Sequence, residues 1–183
     1  MVDFAPLRTA RLTLRRFADA DADAVASYRS DPDVARYQSW EAPYPLAAAD
    51  TLAREMATAT PDLPGEWFQV AVDLDGVLIG DCAFAPWAQE PRTAEIGFTI
   101  APGQQRRGYA REAVTGLLGY LFGTLGKHRV TASCDVRNAA SARVLEAVGM
   151  RREGHLVEAV WAKGEWTDDL VYGLLRREWT VSH

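Results

Sequence analysis

The sequence predicts an α/β chain of the α+β kind, with strand-like and helix-like runs in the order β-αα-βββ-α-β-α-ββ and neither repeats nor low-complexity tracts. Three observations carry this. Leu12 and Leu14 alternate with Arg11, Thr13 and Arg15, the period-two signature of a half-buried strand. Asp75-Gly76 joins two apolar runs and signals a two-residue hairpin, because its central positions need the positive φ that these residues accept. Gln105-Arg106-Arg107-Gly108-Tyr109-Ala110 lies between a strand-like run ending at Ile100 and a helix-like run starting at Ala110.

In chain order, the first strand covers Arg11 to Phe17. Asp19 then offers an N-cap, with Asp21 and Asp23 complementing the dipole of a helix running to about Ser30, where Asp31-Pro32 stops it. Tyr37 to Pro45 has no period and reads as a loop presenting Trp40 and Tyr44. A second helix runs from Ala47 to about Ala59, and Pro61 to Gly65 closes it. Trp67–Asp73 and Val77–Ala85 form the hairpin over Asp75-Gly76, followed by an antiparallel strand from about Arg92 to Ile100. After the helix from Ala110 to Phe122 come a strand at His128–Val136 and a helix at Ala139–Val148, ended by Gly149 as its C′ residue. Arg151–Ala162 and Trp166–Arg177 make a closing hairpin over Lys163-Gly164.

At 183 residues and 48% hydrophobic content the chain can bury a sizeable core, and residues 1–183 read as one domain. No apolar run is long enough to span a bilayer, and the N-terminus lacks the basic-then-apolar pattern of a leader, so the reading is a cytoplasmic protein without a membrane partner. A net charge of −5 with no basic stripe argues against nucleic acid. Arg151-Arg152 and Arg176-Arg177 read as solvated strand residues. Cys82 and Cys134 fall in strand-like runs and read as free thiols. His128, His155 and His183 are scattered without metal-ligand spacing, so no metal is expected.

The Gln105–Ala110 turn has the properties of a phosphate cradle. A helix's first turn leaves backbone N–H groups unpartnered at the positive end of the macrodipole, and a pyrophosphate can be held there by main chain. Gly108 permits close approach, small Ala110 avoids crowding, and Arg106 and Arg107 add charge. It is not a P-loop, since the Gly-Lys-Ser/Thr ending is absent, nor a dinucleotide fingerprint, since no βα unit opens the chain. The spacing Gln-x-x-Gly-x-Ala, preceded by Ala94-Glu95-Ile96-Gly97-Phe98 and followed by the run from Asn138 to Met150, resembles the GNAT acetyltransferases, and more closely their RimJ/RimL-type branch. The likeness extends from Thr9–Arg15 to the closing Asp168–Trp179 segment. It implies a mixed, mostly antiparallel sheet whose central strands splay apart to admit pantetheine, and transfer of acetyl from acetyl-CoA to an amine. The pyrophosphate would then sit on Gln105, Arg106, Arg107, Gly108, Tyr109 and Ala110, the resemblance would place Asn138 on the pantetheine or phosphate arm, and a backbone N–H near Thr99 or Ile100, freed by a bulge, would meet the thioester oxygen.

Aminolysis of a thioester needs a neutral amine, a polarised carbonyl and a proton for the leaving sulfur. Glu95 is the first candidate base, because its apolar neighbours would raise its pKa if it faces inward. Glu158 is an alternative, and Asp168 and Asp169 open the last strand where the resemblance places an acid facing the acceptor. Many relatives carry a tyrosine acid seven residues after the asparagine; here that position is Leu145, leaving Ser141 or water to protonate the thiolate. Ser141 is three residues past Asn138 and shares its helix face. Trp40 and Tyr44, and less so Trp87 and Trp161, can wall an acceptor ammonium. The residues leave open whether the acceptor is a protein N-terminus or a small amine, whether the donor carries acetyl or a larger acyl group such as succinyl, whether the chain is a non-catalytic CoA-binding module, and its oligomeric state.

Overall fold

A computed structural model describes residues 3–179; His183 lies outside them. Strands β1 (Leu7–Arg8), β2 (Thr13–Arg15), β3 (Phe68–Leu74), β4 (Val77–Pro86), β5 (Thr93–Ile100), β6 (Arg129–Asp135), β7 (Arg151–Ala162) and β8 (Glu165–Leu175) form one sheet in the order β1-β2-β3-β4-β5-β6-β8-β7. Every neighbouring pair is antiparallel except β5 and β6. Helices α1 (Ala22–Arg29), α2 (Pro32–Ala35), α3 (Leu46–Thr58), α4 (Tyr109–Gly119) and α5 (Ala139–Ala147) complete the fold. Among the described residues no helix is long and apolar enough to cross a membrane.

Helices α4, α1 and α3 cover the sheet with apolar residues at helical spacing. On α4, Ala113, Val114, Leu117 and Leu118 are fully buried, and they pack with Leu14, Phe84, Ile96, Leu145 and Tyr172 into the main core. Beyond Gly119 the helix widens into a single π turn, Tyr120–Thr124, so the stripe continues through Leu121 and Phe122. On the other face, Val25 and Tyr28 of α1 and Ala49 and Ala53 of α3 close a smaller core over Ala71 and Leu78.

Three local expectations are corrected. Asp19 does not cap α1: a 3-10 turn over Asp19–Asp21 precedes the helix, and Asp21 instead accepts from Ala18 N–H at 2.8 Å and pairs with Arg15 at 2.7 Å. Asp31-Pro32 ends α1 but also starts α2, because Asp31 Oδ1 accepts from Asp33 and Val34 N–H while Pro32 supplies a preset φ at the first helical position. The extra sheet residue lies on β4, where Val72 pairs with Gly80 and Asp73 with Leu78, and not at Thr99 or Ile100. Gly80 is required beside this bulge, since a Cβ there would collide with the Thr99 carbonyl.

Candidate active site

β5 pairs with β4 in unbroken register from Pro86↔Ala94 to Gly80↔Ile100. Towards β6 it pairs only through Thr93, Ala94 and Glu95, after which β6 follows β8 out to Asp135↔Asp169. The two central strands therefore fork at Glu95. Ala101 N–H donates to Ile79 C=O on β4, so strand alternation turns the N–H and C=O of Phe98 and Ile100 towards the gap. Gln105 Nε2 donates to Ile100 C=O at 2.9 Å and staples the next loop to the fork. Of the two donor positions expected from sequence, Ile100 faces the gap and Thr99 faces β4; divergence of the strands, not a bulge, frees the donor.

The loop ends at Gly108, the N-cap of α4, with φ 81° and no side-chain cap. Tyr109, Ala110 and Arg111 thus open the helix with N–H groups that have no intrahelical acceptor. The acid of this turn, Glu112, is neutralised: it accepts from Thr9 Oγ1 at 2.6 Å and from Arg11 N and Nε at 2.7 Å each. Burial raises its pKa, but these contacts outweigh that and hold it below the ordinary range. A cavity of about 330 Å³ opens over the turn, lined by Gln105, Arg106, Gly108, Tyr109 and Ala110. Arg107 is outside the lining, its carbonyl accepting from Arg11 Nη1 at 3.0 Å, and Arg111, not singled out from sequence, lines it instead.

Across the cavity stand Asn138 and Ser141 of α5. Asn138 is the N-cap, its Oδ1 accepting from Ser141 N–H at 3.1 Å. Both residues also line a second cavity of about 90 Å³ between the diverging strands, together with Phe98, Cys134, Tyr37 and Gln38. Leu145 is 1% exposed and belongs to the core. Burial, then Asp169 and Asp135, push the Cys134 thiol up to about 11, which leaves little thiolate there.

Glu95 sits at the crotch of the fork, half-buried, and its pKa is raised first by burial and then by the charge of Asp169. Asp169 is itself raised, by burial and by Asp135 opposite it, against a hydrogen bond from Ser133. Asp168 points the other way, as alternation along β8 requires: it accepts from Glu158 N–H at 2.8 Å and pairs with His155 at 2.7 Å. Glu158 lies in the irregular stretch of β7 with φ 46°, away from both cavities. Trp40 and Tyr44 line neither cavity; their rings pack around the guanidinium of Arg29. Trp87 and Trp161 are exposed and also stand apart. No group of three His, Cys, Asp or Glu side chains that could hold a metal occurs among the described residues.

Comparison with known proteins agrees with this geometry. A family model described as an acetyltransferase (GNAT) domain matches residues 11–151. The uncharacterized N-acetyltransferase YnaD of Bacillus subtilis is 34% identical over 173 residues, 94% of this chain and 98% of its own length. A GNAT-family acetyltransferase from Bacillus anthracis superposes with a TM-score of 0.85 at 32% identity, covering 95% of this chain and 100% of that one. A spermidine N-acetyltransferase from Vibrio cholerae, solved with CoA and spermine, shares the fold at a TM-score of 0.78 and 24% identity over 93% of this chain and 98% of its own. With forked strands, an uncapped helix start and a family match that spans both, the chain belongs to the GNAT acetyltransferases.

Proposed function

We propose that this chain transfers acetyl from acetyl-CoA to a primary amine by direct attack on the thioester, in the manner of the RimJ/RimL-type branch. The observation that carries the reading is the fork at Glu95, which opens a gap between Phe98–Ile100 and Asn138–Ser141 directly beside the α4 N-terminus. The cradle fits a pyrophosphate on its own terms: glycine N-cap, unpartnered first-turn N–H groups, two lining arginines and a neutralised first-turn acid. When bound, acetyl-CoA supplies the activated acyl group. Glu95 takes the proton of the attacking amine, directly or through water. Phe98 and Ile100 N–H groups, turned to the gap, meet the carbonyl oxygen as it gains charge, and Ser141 donates to the departing sulfur.

A thiol-release assay with acetyl-CoA against N-terminal peptides, polyamines and aminoglycosides tests the reading and sorts the acceptor. Background release with every amine, alongside retained acetyl-CoA binding, would make the chain a CoA-binding module instead. Acetyl-CoA is expected to raise the Tm, since a ligand that binds only the native state adds about 2.7 kcal/mol at a hundredfold excess over Kd. Gly108→Trp is expected to abolish that shift by filling the cradle, with Gly108→Asn as a control for the backbone, because asparagine tolerates positive φ. A Gly108→Trp protein that still responds to acetyl-CoA would place the pyrophosphate elsewhere.

Ser141→Ala is expected to slow turnover by roughly 10–100-fold with acetyl-CoA binding almost unchanged, less than the loss of about 10²–10³ for a dedicated oxyanion donor. A thiolate with a pKa near that of free cysteine, about 8.5, is a tolerable leaving group and needs only one neutral donor. Wild-type turnover in this variant would assign the proton to water.

A further inference from the structure

We propose that Arg29 is a positioning residue: it pins the loop carrying Trp40 and Tyr44 and so fixes Tyr37 and Gln38 where they line both cavities. The inference rests on the acetyl-transfer reading for its kinetic consequence, but not for its structural one. Arg29 ends α1 and is 4% exposed. Its guanidinium carbon lies 4.3 Å from the centre of the Trp40 ring and 5.2 Å from that of Tyr44. Nη2 meets Asp81 at 3.1 Å and donates to Gln69 Oε1 at 2.9 Å. The backbone repeats the grip: Trp40 Nε1 donates to Arg29 C=O at 3.1 Å, and Tyr44 N–H donates to Ser30 Oγ at 2.9 Å. From the far side, Lys163 at the tip of the β7–β8 hairpin donates to Trp40 C=O at 2.6 Å.

Aromatic faces attract cations, and here the cation they hold is the chain's own. Trp40 and Tyr44 therefore act on the acceptor through the position of the loop, not by touching it. The guanidinium carbon is within cation–π range of both rings, which meet each other nearly edge to face at 70°, while its edge meets Asp81 and Gln69; a lysine ammonium can keep the charge but not all of these contacts at once. Arg29 Nε is buried without a partner, an arrangement that costs stability and that an apolar residue would avoid. The group specifies one loop geometry at that cost. Asp81 lies on β4 and pairs with Thr99 of β5, so the pin is anchored on the strand next to the one that borders the gap.

Arg29→Ala would strand a buried carboxylate, so the test uses Arg29→Lys and Trp40→Leu. With saturating acetyl-CoA and either spermidine or an alanine-initiated peptide as acceptor, each variant is expected to raise the acceptor KM roughly tenfold while kcat falls less than about threefold. The double variant should add less than about threefold to either single, because both changes release the same loop. Hydrogen exchange should quicken in residues 36–45 of Arg29→Lys and stay unchanged in β4 and β5. Unchanged exchange in that segment overturns the pin, as does full additivity of the two variants; because Tyr37 and Gln38 line both cavities, the acetyl-CoA KM is expected to rise as well. If the wild type transfers to neither amine, the transfer reading fails with those acceptors and the exchange measurement alone decides the pin.

Discussion

Glu95→Gln is expected to lower kcat by about 10²–10⁴ at neutral pH with little change in acetyl-CoA affinity. The reason is positional. Glu95 is the last residue of β5 still paired to β6, half-buried where the strands part although it lines neither cavity, and the Gln105–Ala110 cradle lies beyond Ile100 at the other end of the gap. Burial, then the charge of Asp169, raise its pKa, and the group works as a base only when ionised, so the acid limb of the wild-type rate should have its midpoint above the ordinary glutamate range and vanish in Glu95→Gln. Asp169→Asn should move that midpoint down by removing the like charge. The same shift has a stability consequence of defined sign. A carboxyl whose folded pKa is raised favours the folded state below its unfolded pKa, and that contribution is lost as pH rises through the folded pKa. Glu95→Gln should therefore unfold at higher urea than wild type at neutral pH, while a rate unaltered by the substitution would shift the base to Asp169.

What was legible in the sequence is what local chemistry decides. The Asp75-Gly76 hairpin and the helix start after the Gln105–Ala110 turn each depend on residues a few positions apart, and the structure has the turn and a helix opening at Tyr109 behind a left-handed Gly108. Asp31-Pro32 was legible as a helix stop but not as the start of the next helix, because one dipeptide with these properties does both. β1 spans two residues and leaves no period to read. Strand parity separates Asp168 from Asp169, and parity is set by the pairing of β8 with β6, which no local pattern fixes. The placement of Trp40 and Tyr44 turns on a cation 11 and 15 residues away at Arg29, and on Asp81, 52 residues further along the chain from Arg29. An arginine near the end of an amphipathic helix ordinarily faces solvent, so only the fold could expose this one as the centre of a buried cluster.

Asp81→Ala is expected to be the most damaging single truncation in that cluster, costing about 3–5 kcal/mol. Both members of the Arg29–Asp81 pair are nearly inaccessible to water, with side chains 5% and 6% exposed, so solvent cannot take over when one is removed. Asp81 also accepts from the buried Tyr28 hydroxyl, whose pKa burial and the Asp81 charge push well above its ordinary range, keeping it a donor. The alanine variant would leave a guanidinium without its counter-charge and a phenol without its acceptor in a dry interior. For a chain of this length the loss corresponds to a fall in Tm on the order of 10 °C. Asp81→Asn keeps an acceptor and should fall between wild type and alanine. The combined Arg29→Met/Asp81→Leu variant separates the worth of the pair from the penalty of breaking it: with no charge left to strand, it should recover much of the stability that Asp81→Ala loses. It should still show fast exchange in residues 36–45, since methionine carries no charge for the Trp40 and Tyr44 rings to hold. An Asp81→Ala protein melting within about 2 °C of wild type would mean that the interior is wetter at Arg29 than its burial implies.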